Sequence, residues 1–132
     1  MRQQQVYDAV QNVHAYALGL LKPGIILKDY ERQVHVHMGV QLQQLGLITE
    51  PTHDTIGRFF PHSTSHHLGL AVHDAALYNE PLVPGMVLTV EPGIYIPTEA
   101  IGIRLEDDVV ITDTGCTVLS GKLAASLMNS KL

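Results

Sequence analysis

The chain has 132 residues, 45% of them apolar and only 16% charged, with a formal net charge of −5. Such values describe one lightly charged globular domain, long enough to bury roughly two thirds of its unfolded surface. They exclude a basic nucleic-acid or anionic-membrane surface, and the single cysteine, Cys116, excludes an internal disulfide. No apolar run reaches membrane-spanning length, and Met1-Arg2-Gln3-Gln4-Gln5 lacks a signal-peptide core, so a cytoplasmic location is expected.

From Arg2 to Leu21 the residues Val6, Val10, Val13, Ala17, Leu20 and Leu21 recur at helical spacing, and Lys22-Pro23-Gly24 stops the helix. A second helix is predicted from near Lys28 to Leu45, with Tyr30, Val34, Met38, Leu42 and Leu45 on one face. Asp29 is a candidate cap and Gly46 a candidate C-terminal stop. Lys28, Glu31, Arg32 and several glutamines form the solvated face, and His14, His35, His37 and His53 read as surface or helix-face histidines. Thr49 to Arg58 reads as a connection turned by Pro51, Asp54 and Gly57, with Phe59 and Phe60 anchoring the chain to the core beyond it.

The second part of the chain reads as β-rich. Met86 to Glu91 is strand-like, Pro92-Gly93 turns the chain, and Ile94-Tyr95-Ile96 forms another short strand. Ile101, Ile103 and Leu105 alternate with Gly102, Arg104 and Glu106, so Arg104 and Glu106 project from one face. Asp107 and Asp108 read as surface acids at a strand end, Val109 to Thr112 continues the sheet, and Asp113-Thr114-Gly115 is a turn. Ser120 to Leu132 carries no clear signal. Two helices followed by strands make the fold class α+β.

Between the two parts lies Pro61-His62-Ser63-Thr64-Ser65-His66-His67-Leu68-Gly69-Leu70-Ala71-Val72-His73-Asp74, which holds four of the eight histidines. His62 and His66 have the spacing of a zinc-protease helix, but Pro61, Ser63, Thr64, Ser65 and Gly69 make a poor helix and no glutamate follows His62. An extended or looped segment is expected. Its histidines are either polar loop residues bonded to neighbouring hydroxyls or one part of a metal site. Glu91 and Glu106 favour the second reading, because each stands in an apolar run where an ionised carboxylate calls for a cation or an arginine. Arg104 is such an arginine, so an ion pair is the plain alternative for Glu106.

The segments Pro61–Asp74, Val87–Tyr95 and Gly102–Asp108, in this order and spacing, resemble the three C-terminal signatures of the pita-bread metallopeptidases. Within that family they look most like the Xaa-Pro aminopeptidase (aminopeptidase P) and prolidase branch, and Leu21-Lys22-Pro23-Gly24 matches the opening of the same half. The resemblance implies the C-terminal half of the pita-bread (creatinase/aminopeptidase-like) fold, with two N-terminal helices and a curved, antiparallel-rich sheet. It implies a metal-dependent exopeptidase acting on proline-containing peptides. His66 and Glu91 would be ligands of one ion, and Glu106 would bridge two ions, usually manganese, with zinc or cobalt possible. His62 and His73 would hold the scissile peptide and steady its tetrahedral intermediate; Glu91 would also carry the proton of the attacking water, and Arg104 would support the metal cluster.

The family's dinuclear site also uses two aspartates from the half of the fold that precedes these helices, and Asp8 and Asp29 read instead as a helix-surface acid and a cap. Residues 1–132 therefore read as one partial catalytic domain, truncated relative to the family, holding at most one ion. Ala71 stands where the family commonly has aspartate, which weakens the hold on His73. The absent half would leave apolar faces and a sheet edge uncovered, so self-association or pairing with a fragment carrying the missing aspartates is expected. Three functions follow: a metal-dependent Xaa-Pro exopeptidase, a catalytically inactive binding or assembly module of the same fold, and an unrelated mononuclear hydrolase that explains fewer residues.

Overall fold

The structure, a computed structural model, describes residues 1–70 and 78–120. Helix α1 spans Arg2–Leu20, α2 Leu27–Gln44 and the short α3 His53–Gly57. The strands are β1 (Val87–Val90), β2 (Gly93–Ile96), β3 (Ile101–Arg104), β4 (Asp107–Ile111) and β5 (Cys116–Val118). The fold is α+β with antiparallel sheets, as expected.

Neither long helix has a side-chain N-cap, so burial of one face holds each in place. Helix α1 buries Val6, Ala9, Val10, Val13 and Ala17, and α2 buries Leu27, Tyr30, Val34, Met38 and Leu42. Helix α1 packs on α2 and lies across β1, β2 and β3. Asp29 is not the cap of α2: Ile26 is the capping residue, and Asp29 lies in the first turn, where it accepts from Arg32 at 3.2 Å. An acid there is favoured by the helix dipole without ending the helix. The C-terminal stop is as expected. Gly46 takes φ +72°, its N–H reaching Gln43 O (2.9 Å) and that of Leu47 reaching Leu42 O (3.0 Å), the paired bonds of a Schellman ending.

The connection Thr49 to Arg58 contains helix α3, which the sequence reading missed. Its start is a reciprocal cap between Thr52 and Thr55, with threonine in place of the usual Glu or Gln. Ile56 of α3 and Pro51 press on Gly39 of α2, where an added Cβ would lie 2.9 Å from Ile56 Cδ1 and 2.8 Å from Pro51 Cβ. Gly39→Ala should therefore destabilise the protein. Overpacking of about 1–3 kcal/mol outweighs a helix-propensity gain of about 1 kcal/mol. Urea denaturation measures the balance, and a stabilised variant would contradict it.

The β-rich part forms two ladders, β1-β4-β5 and β2-β3. Register explains where the functional side chains fall. Val90 pairs with Asp107 and Gly93 with Arg104, so Glu91-Pro92 and Leu105-Glu106 face each other at the seam where one ladder ends and the other begins. On the side of β1 away from β4 runs the histidine segment, extended rather than helical. Its carbonyls accept from the strand: Thr89 N–H to His66 O (2.9 Å) and Glu91 N–H to Thr64 O (2.8 Å), while Leu68 N–H gives to Val87 O (3.1 Å). Phe60 is buried as expected, and Phe59 O accepts from Tyr95 N–H at 2.9 Å.

Asp107 is not a surface acid. Its Oδ2 lies 3.2 Å from His14 Nε2 of α1, with both side chains about seven-eighths buried. Burial pushes the His14 pKa down, and the nearby Asp107 charge only partly opposes this; burial acts in the same direction on His35 and His37. Each takes up a proton more readily when unfolded, so stability rises with pH through the window from the lowered folded value up to about 6.5. Acidification from about pH 7.5 to about 5.5 should lower the thermal midpoint, and His14→Gln should flatten that slope. An unchanged slope in the variant would assign the effect elsewhere.

Candidate metal centre

His66 and Glu91 are brought together. His66 Nε2 lies 3.0 Å from Glu91 Oε1, with side chains only 11% and 13% exposed. The two are presented by adjacent extended segments, the histidine segment and the end of β1. His66 Nδ1 lies 3.0 Å from the carbonyl of His67, which can only accept. Nδ1 therefore carries a proton, which leaves Nε2 to face the carboxylate. Two acceptors this close require a proton or a cation between them.

The donor chemistry fits a divalent cation at these two residues. A ligating imidazole characteristically gives its other N–H to a backbone carbonyl. Thr89 steadies the pair: its hydroxyl donates to Glu91 Oε1 (3.2 Å) and accepts from His66 N–H (3.1 Å). Sequence reasoning overlooked Thr89, although its period-two relation to Glu91 placed both on one face.

Glu106 does not join them, and it is not buried. Its side chain is 42% exposed, in the turn between β3 and β4. Arg104, on the same face as expected, lies between the two acids, with Nη2 3.3 Å from Glu106 Oε2 and Nη1 3.6 Å from Glu91 Oε2. The ion-pair alternative for Glu106 is thus the observed contact. Among the described residues no group of three or more His, Cys, Asp or Glu side chains is arranged to hold a metal ion. The fit extends to two donors, not to a two-metal cluster.

His62 takes a different position. Its Nδ1 donates to Ser63 O (2.9 Å), so Nε2 accepts from the Tyr95 hydroxyl (2.8 Å). The ring also meets Phe60 edge to face at 5.0 Å. Tyr95, unmarked in the sequence, reaches His62 by folding over Gly93, where a Cβ would lie 2.7 Å from its hydroxyl. His73 and Ala71 lie outside the described residues. Glu31, read as part of a solvated face, instead accepts from Thr64 N–H (2.9 Å) and Ser65 N–H (2.8 Å). Burial pushes its carboxyl pKa up, and those two bonds oppose the rise.

Known proteins resemble this chain in sequence and fold. The chain is 39% identical to Xaa-Pro aminopeptidase 3 of Rattus norvegicus, over 89% of this chain and 26% of that protein. It is 40% identical to the Xaa-Pro aminopeptidase of Escherichia coli, over 86% of this chain and 30% of that protein. The structure of aminopeptidase P from E. coli with the inhibitor Pro-Leu superposes with a TM-score of 0.82 at 38% identity, covering 92% of this chain and 31% of that one. The chain thus spans between a quarter and a third of the length of these relatives. Residues 1–113 match the description "Metallopeptidase family M24". With that match over most of its length and a shared fold at these identities, the chain belongs to metallopeptidase family M24.

Proposed function

We propose that the chain contributes the His66–Glu91 side of an active site that hydrolyses the bond before proline in a peptide. The observation that carries this reading is the 3.0 Å approach of His66 Nε2 to Glu91 Oε1. His66 and Glu91 hold a divalent ion, manganese by resemblance with zinc or cobalt as alternatives, and Glu106 lies one arginine contact away. Such an ion, when bound, makes a water acidic enough to attack near neutral pH and polarises the substrate carbonyl.

The chain's own groups do the rest. Glu91 is placed to take the proton of the attacking water and return it to the leaving amine. Arg104 offers its N–H groups to both carboxylates and keeps their charges compatible at close range. By resemblance, His62 and His73 would hold the peptide, with His73 outside the described residues. With both His62 nitrogens engaged by Ser63 and Tyr95, that ring is pre-oriented rather than free to turn.

Metal content of the purified chain, measured together with hydrolysis of an Xaa-Pro peptide in manganese, tests the proposal. Up to one ion per chain is expected, and fewer than about half an ion with no turnover would reject it. The second reading, a binding or assembly module without catalysis, is favoured by Arg104 engaging both acids. One ion without turnover would support a half-site that needs the missing carboxylates. Either reading includes self-association or pairing with a chain that brings two further carboxylates, supported by the exposed Val36 (63%) and Val40 (41%) one turn apart on α2. A monomer by light scattering at micromolar concentration would count against that pairing.

A further inference from the structure

The segment that delivers His66 is bonded on two sides. Its carbonyls at Thr64 and His66 accept from β1, while the successive N–H groups of Thr64 and Ser65 turn the other way, toward α2. Two successive N–H groups converging on one anion form an anion-binding nest. The anion is the Glu31 carboxylate, with Oε2 on Thr64 and Oε1 on Ser65. Beside it, the Tyr30 hydroxyl lies 2.8 Å from Ser65 Oγ in a buried contact. Helix α2 thus grips the two residues that immediately precede His66.

We propose that Glu31 is a positioning residue: by holding the Thr64 and Ser65 amides it sets the register of the histidine segment along β1 and so the placement of His66 Nε2 against Glu91. The proposal rests on the metallopeptidase reading only in treating His66 as a ligand. A neutral side chain at position 31 has a single strong acceptor, so it can satisfy one amide but not both. A buried amide left without its acceptor destabilises the segment locally. Long helices with separately buried faces should not feel that loss, whereas a segment held by a few bonds should.

Amide hydrogen exchange and manganese titration on the wild-type chain, Glu31→Gln and the neighbouring Arg32→Gln provide the test. In Glu31→Gln, exchange should quicken by at least about tenfold at Thr64, Ser65, Thr89 and Glu91, with Val10 and Val34 unchanged. Manganese affinity should fall by about 10–100-fold, the usual effect of losing a group that orients a ligand. Arg32→Gln should change neither. Unchanged exchange at those four amides would overturn the proposal, and so would a uniform acceleration that includes Val10 and Val34. If the wild-type chain binds no manganese, the proposed function fails, and the exchange pattern still decides the role of Glu31. Glu31→Asp, which keeps the charge on a side chain one methylene shorter, should give the same local pattern if the Gln variant does not fold.

Discussion

Glu91→Gln is expected to weaken divalent metal binding by more than about 100-fold, beyond the effect of losing a supporting group, while leaving the metal-free protein about as stable. The two effects have one cause. In the metal-free protein a proton bridges the 3.0 Å between His66 Nε2 and Glu91 Oε1. A glutamine amide replaces that bond by donating to the nitrogen of the neutral ring, so little stability is lost, while a metal is denied its charged oxygen. Arg104, which loses its contact with the charge, is nearly half exposed and still pairs with Glu106, so its loss adds little. Calorimetric metal titration and urea denaturation of the metal-free variant measure the two arms. A variant that loses stability and keeps its affinity would show Glu91 to be a structural partner of His66, not a ligand.

Leu88→Ala is expected to produce the largest loss of stability, about 2–5 kcal/mol by chemical denaturation. Leu88 is fully buried in β1, which pairs with β4 on one side and carries the histidine segment on the other. Against a total of about 5–15 kcal/mol, that loss leaves a marginal fold. It should also weaken metal binding in the fraction that remains folded, because β1 carries Thr89 and leads directly into Glu91. A change below about 1 kcal/mol would mean that the surrounding side chains collapse into the cavity.

Much of this protein was legible in its residues because it rests on local periodicity. The apolar rows of α1 and α2, the Gly46 ending, and the shared face of Arg104 and Glu106 all follow from repeats of 3.6 and 2.0 residues. The order of the histidine, Glu91 and Glu106 segments was enough to suggest a family, and the match over residues 1–113 shows it. Helix α3 was missed because its cap uses Thr55 where glutamate would have signalled a start. Glu106 is more exposed than its sequence context suggested because its apolar neighbours in sequence are not its neighbours in space: the chain turns there, and solvent reaches the side chain.

Long-range placement belonged to the tertiary structure alone. Asp107 became buried against His14, a residue 93 positions away in the chain. Glu31, on a helix face that reads as solvated, became the anchor of the histidine segment because the Thr64 and Ser65 amides fold back upon it. Residue types and spacing determined which groups carry the chemistry. Which of them meet was decided by strand register and helix packing, since bonds between residues more than thirty positions apart leave no periodic trace in the sequence.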